Sequence, residues 1–145
     1  MSDKRLTVEL VTPEKVAWSA PADLVVLPAF EGEMGVMPGH QSFLVQLAAG
    51  EVRVTDRGEV KHFAVSGGFA EIKDDEVALF AETAEAAELI DAERAHQALE
   101  RARRSALQKS PGALDAAEIE AAMLRAKTRL RVSRRGGGAP PRTGG

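Results

Sequence analysis

The strongest constraint on this chain is the way its residue types separate along its length. All six aromatic residues, Trp18, Phe30, Phe43, Phe63, Phe69 and Phe80, lie in the first part, where Gly and Pro recur. From Ala81 to Ala126 there are fifteen alanines and no aromatic, and between Phe69 and Arg135 only Pro111 and Gly112 break the run. Bulky side chains cut by turn residues suit strands, and alanine suits helix. One chain of 145 residues therefore carries two modules of different physics. Charge divides the same way. Residues 1–86 hold 7 Lys/Arg against 15 Asp/Glu, a net of −8, and residues 87–145 hold 12 against 7, a net of +5. The reading places a β module at 1–86, a helical module at 87–132 and a basic Gly/Pro tail at 133–145.

In the first module Leu6, Val8 and Leu10 alternate with Thr7 and Glu9, and Phe43, Val45 and Leu47 repeat the two-residue spacing. This period of two marks half-buried strands. Leu24 to Leu27, Val52 with Val54, Val60 to Val65, Phe69 to Ile72 and Val77 to Phe80 are further short segments. Turns are expected at Pro13, Gly50, Asp56-Arg57-Gly58, Gly67-Gly68 and Asp74-Asp75. Short strands at this spacing indicate an antiparallel β-sandwich or barrel, with the aromatics available to fill the core between two sheets.

In the second module Ala92, Ala95, Leu99, Ala102 and Ala106 form one helical seam, and Ile119, Met123, Ala126 and Leu130 a second. Asp91 stands where an N-cap is needed, and Asp115 with Glu118 forms a capping-box variant. With Pro111-Gly112 between them, the two helices, each roughly 18 residues long, make an antiparallel αα-hairpin. An alanine seam contributes little apolar area, so the hairpin is expected to be only marginally attached. The tail from Ser133 lacks apolar periodicity and is expected to be disordered.

Several function classes are excluded. Without cysteine there is no disulfide framework, thiolate metal site or cysteine nucleophile. No apolar run reaches ~18 residues, so no span is indicated, and the first residues show no export signal. Gly-rich phosphate loops are absent. His40, His62 and His96 lack metal-ligand spacing, and Ser66 has no patterned His or acid partner. Nothing points to catalysis. The basic second half admits a free-standing ATP-sensing or nucleic-acid-binding module, but no aromatics interleave with its charges as a single-strand platform requires.

Three segments are distinctive: Phe30-Glu-Gly-Glu-Met-Gly-Val-Met-Pro-Gly-His40, Val65-Ser-Gly-Gly-Phe-Ala-Glu-Ile72 and Ile90-Asp-Ala-Glu-Arg-Ala95. Their order, followed by an Ala-rich hairpin ending Arg129-Leu-Arg-Val132, resembles the epsilon subunits of bacterial F-type ATP synthases. The resemblance implies a ten-stranded β-sandwich followed by an αα-hairpin, in a non-catalytic rotor subunit that needs no cofactor. Its implied partners are the gamma subunit, the c-ring and, through the hairpin, the α/β head, with no nucleic acid. Its implied place is the cytoplasmic face of the bacterial plasma membrane, as a peripheral part of F1. Glu31, Gly32 and Glu33 match the segment that faces the c-ring, against a plain acidic turn. His40 matches the end of the same signature, either bonding a turn or touching gamma. Ile90, Asp91, Arg94 and Ala95 match an ATP-binding signature that Arg125 and Arg129 complete. There ATP is a regulatory ligand that is not hydrolysed, and the hairpin can restrain ATP hydrolysis. Without ATP, Asp91 is a helix cap and the arginines a solvated face.

Overall fold

The computed structural model describes residues 4–108 and 116–136. Residues divide into two compact units between Ala86 and Ala87. The first holds eight strands: β1 (Leu6–Val11), β2 (Val16–Ala22), β3 (Leu24–Ala29), β4 (Gly32–Val36), β5 (Phe43–Asp56), β6 (Glu59–Lys73), β7 (Glu76–Ala81) and β8 (Ala84–Ala86). They form one hydrogen-bonded path in the order β2-β1-β7-β6-β5-β3-β4, with β8 on β6. All pairings are antiparallel except β1 with β7, which is parallel.

The sandwich arises because β5 and β6 serve both layers. The N-terminal half of β6 pairs with β8 through Phe63–Val65, and its C-terminal half with β7 through Gly68–Lys73. The expected breaks at Gly50 and Gly67-Gly68 are therefore not chain turns. They are positions within continuous strands, β5 and β6 being 14 and 15 residues long, so each of these two does the work of two short strands. At Gly67 and Gly68, φ is 89° and 117°, a region glycine enters without a Cβ penalty. Two hairpin turns follow the expected chemistry. Arg57-Gly58 and Asp74-Asp75 each join strands through two residues of positive φ, the arrangement that matches strand twist. Strands β2, β4 and β8 carry no clean apolar alternation and escaped the sequence reading.

The core is aliphatic. Leu6, Val8, Leu10, Val25, Leu27, Leu47, Ile72, Val77 and Leu79 are enclosed between the layers. Burying each contributes roughly 1.5–3 kcal/mol. The aromatics fill little of it. Phe63 is buried and Trp18 packs on it at 4.9 Å, but Phe43 and Phe69 are about half exposed and Phe30 more so. Strand alternation is the reason: Phe69 and Phe80 lie one residue out of phase with Ala70 and Leu79, so they face outward.

The second unit opens with a 3-10 turn, Ala87–Leu89, followed by α1 (Ala92–Leu107) and α2 (Ala116–Gly136). Asp91 caps α1, its Oδ1 accepting from the Arg94 N–H at 3.1 Å. Ala95, Leu99 and Ala102 are buried, while Ala92 and Ala106 at the ends of the expected seam are exposed. On α2 the buried residues are Ala126, Thr128 and Val132, with Ile119, Met123 and Leu130 half-buried. This helix contacts both α1 and the 3-10 turn, so it covers a broader arc than one seam. It also continues through Ser133–Gly136, four residues into the expected tail. The rest of the tail, the Pro111-Gly112 break and the cap at Asp115 lie outside the described residues.

Candidate interaction sites

The first candidate site is built on the β3–β4 hairpin. Ala29 pairs with Gly32, which leaves Phe30 and Glu31 as a two-residue tip. Gly32 closes it with φ of 127°. Gly32 and Glu33 thus belong to β4 rather than to a loop. Phe30 is 65 % exposed, and Glu31 is exposed with no ion-pair partner among the described residues. Glu33 is held differently. Arg53 on β5 reaches its two carboxylate oxygens through separate nitrogens, at 2.9 and 3.2 Å. The guanidinium is held above its ordinary value, chiefly by the hydrogen bond to Glu33. Arg53 also donates to Glu51 at 3.3 Å, and His62 Nδ1 donates to the other oxygen of Glu51 at 2.8 Å.

His40 follows β4. Its N–H donates to the Met37 carbonyl at 3.1 Å, and its Nδ1 donates to the Gln41 carbonyl at 2.7 Å. The ring sits edge-on to Phe43. A cleft of about 690 Å³ is lined by Glu31, Gly32, Glu33 and His40 together with Phe30, Met34, Phe43 and Leu44. The structure therefore gathers the four signature residues around one opening, which their sequence separation did not announce.

Sequence reasoning missed the neighbouring surface. Strand register places Val11, Phe80, Phe69 and Gln46 in one row across β1, β7, β6 and β5. Phe69 and Phe80 stack at 5.1 Å, Phe69 is 48 % exposed and Leu44 nearby on β5 is 66 % exposed. Apolar side chains left partly or largely in water on one strand face mark an interaction surface. The available signal was phase: Phe69 and Phe80 occupy the polar register of their strands.

The second candidate site lies in the helical unit. Ile90 and Ala95 are buried, so they act as packing. Asp91 is engaged as the cap. Arg94, in the first turn of α1, and Arg125, on α2, are exposed and make no ion pair among the described residues. Arg129 is half-buried and already has an interaction partner. Exposed, unpaired guanidinium groups fit a polyanion such as a nucleotide phosphate chain. Nothing at either site offers a nucleophile paired with a base, and no cluster of three metal-ligating side chains occurs among the described residues. No described helix is long and apolar enough to cross a membrane.

The ATP synthase Delta/Epsilon chain beta-sandwich domain matches residues 5–87, and the long alpha-helix domain of the same chain matches residues 88–134. The ATP synthase epsilon chain of Nitratidesulfovibrio vulgaris is 45 % identical over 130 residues, spanning 90 % of this chain and 96 % of the relative. That of Moorella thermoacetica is 45 % identical over 130 residues, spanning 88 % and 96 %. A chain in the Euglena gracilis mitochondrial ATP synthase OSCP/F1/c-ring structure superposes with a TM-score of 0.65 at 27 % identity, covering 96 % of this chain and 86 % of that one. With both halves matched in order and near-full coverage of its relatives, this chain belongs to the ATP synthase epsilon chain family, as a non-catalytic subunit of the proton-transporting F-type ATP synthase.

Proposed function

We propose that the sandwich couples the rotor: it seats on gamma and rests on the c-ring, linking proton translocation to ATP synthesis or hydrolysis in the α/β head. On this reading the chain sits at the cytoplasmic face of the plasma membrane as a peripheral part of F1. The observation that carries the proposal is the row Val11, Phe80 and Phe69, half-buried at Val11 and Phe80 and exposed at Phe69, beside the acidic cleft. An apolar face suits a permanent protein partner, and an acidic tip suits a cationic loop. A pull-down from gently solubilised membranes is expected to recover gamma, the α/β head and the c-ring. Truncation after residue 86 is expected to keep that assembly. A truncated form that folds but loses gamma would show that the interface lies in the helical unit.

ATP is a regulatory ligand of the helical unit on the same proposal, supported by the two unpaired arginines. Arg94 and Arg125 would hold phosphate oxygens, and Arg129 would complete the set by leaving its present partner. Bound ATP would supply negative charge bridging the helices, favouring the folded hairpin and releasing the restraint it places on hydrolysis when extended toward the head. Each charge-assisted hydrogen bond is worth about 1.5–3 kcal/mol. Calorimetric titration of ATP is therefore expected to show about tenfold or greater weakening in Arg94→Ala and Arg125→Ala. Arg103→Ala, where the guanidinium is paired with Glu100 at 3.1 Å, is the control. No heat at millimolar ATP, or equal loss in the control, would leave the arginines as a solvated face.

A further inference from the structure

The acidic hairpin holds two carboxylates two residues apart, yet the fold treats them differently. Glu31 stands at the tip without an ion-pair partner among the described residues. Glu33 is gripped by both arms of the Arg53 guanidinium, at 2.9 and 3.2 Å. This fork geometry is the strong form of a carboxylate pair and turns both oxygens of Glu33 toward Arg53. Arg53 is itself anchored. Its Nη1 also donates to Glu51, whose side chain is only 4 % exposed and takes a second hydrogen bond from His62. A buried carboxylate demands its cation, so Arg53 is tied from below before it meets Glu33. The four side chains form a line from β6 across β5 to β4, ending beside the cleft.

We propose that Arg53 is the positioning residue of the acidic hairpin, locking Glu33 and its charge into β4, so that Glu31 alone offers a free carboxylate to a cationic loop of the c-ring. The proposal rests on the reading of this hairpin as the ring-facing surface. It divides two acids that look equivalent in sequence into one that holds the hairpin and one that recognises the partner. The exposed Phe30 beside Glu31 adds an apolar contact at the tip, a pairing suited to a loop with an arginine next to small or apolar residues.

The test measures binding of the full chain to gamma alone and to gamma assembled on a c-ring in nanodiscs, over a range of salt. The quantity of interest is the extra affinity that the ring supplies. Wild type is expected to gain affinity from the ring at low salt and to lose that gain as salt rises. Glu31→Gln is expected to reduce the gain about two- to fivefold, the scale of an exposed ion pair, and to flatten its salt dependence. Glu33→Gln is expected to keep the salt dependence of wild type. Arg53→Gln, by releasing Glu33, is expected to make the gain more salt-dependent, which mere loss of structure would not do. Arg53→Lys keeps a cation for Glu51 while losing the fork, and is expected to fall between wild type and Arg53→Gln. Flattening by Glu33→Gln rather than Glu31→Gln would overturn the proposal and leave the ring-facing reading intact. Weakening by both Arg53 variants at every salt, without steepening, would also overturn it. A wild-type chain that gains nothing from the ring would instead overturn the ring-facing reading.

Discussion

Replacing Gly68 by alanine tests the account of how β6 serves two layers. Two costs combine at this position. Its φ of 117° lies where L residues rarely go, a strain of about 1–3 kcal/mol. A Cβ there would also lie 1.9 Å from the Phe80 carbonyl oxygen, 2.9 Å from its carbonyl carbon and 3.0 Å from the Ala81 Cα. These are backbone atoms of β7, so no rotamer change relieves them. A comfortable carbon–oxygen approach is roughly 3.3 Å, so β7 would have to withdraw by more than an ångström. Gly68 is paired with Ala81, and the Glu82 N–H reaches the Gly67 carbonyl, so withdrawal also disturbs the ladder. Overpacking of this kind costs about 1–3 kcal/mol. The sum is about 2–6 kcal/mol, a large fraction of the 5–15 kcal/mol typical of a whole domain. Gly67→Ala is the internal control. Its φ is 89° but its nearest neighbour would be the Leu47 oxygen at 3.9 Å, so it carries strain without collision. Thermal unfolding of both variants is the assay, at about 4–8 °C per kcal/mol for a domain of this size. Gly68→Ala is expected to melt at least about 5 °C below Gly67→Ala. Equal melting points would refute the claim that close approach of β7, rather than backbone conformation alone, requires glycine here.

Three further outcomes follow from individual side chains. Phe69→Ser is expected to leave the melting temperature nearly unchanged, because the ring is half-exposed, while gamma capture in a pull-down falls. Leu99→Ala removes the one buried side chain of α1 larger than a methyl, the others being Ala95 and Ala102. It is expected to cost about 2–5 kcal/mol and to raise amide exchange across α1 and α2 with the sandwich unaffected. Asp23 is held below its ordinary carboxylate value, first by the backbone N–H of Arg57 at 2.7 Å and then by Arg5. Its stabilisation is therefore complete above the unfolded value near ~3.9 and lost as pH falls through the lower folded value. Acid titration of melting temperature is expected to fall less steeply in Asp23→Asn than in wild type.

Much of the candidate sites was legible because their chemistry is local. Asp91 acts within its own helix turn, accepting from an N–H three residues on, and such a cap needs no tertiary information. Arg57-Gly58 and Asp74-Asp75 announce hairpins by residue type alone. By contrast, Arg53 lies twenty residues from Glu33. Nothing in the order of the chain shows that β5 and β4 bring their side chains together across β3. For the same reason Glu31 and Glu33 read as equals in sequence and differ in the fold.

The sequence by itself determined the division into a β unit and a helical unit, the strand phase of the core residues, the cap of α1 and the signature segments that mark the family. These follow from short-range periodicity, backbone preference and residue identity, which survive without knowledge of partners. Only the tertiary structure decided that β5 and β6 pass through both layers. It also decided that β1 runs parallel to β7, that most of the aromatics face outward and that Glu33 is paired with Arg53 while Glu31 has no ion-pair partner among the described residues. Each of these depends on which strands become neighbours. Pairing is set by burial of the whole aliphatic core at once, so no window of the chain contains it.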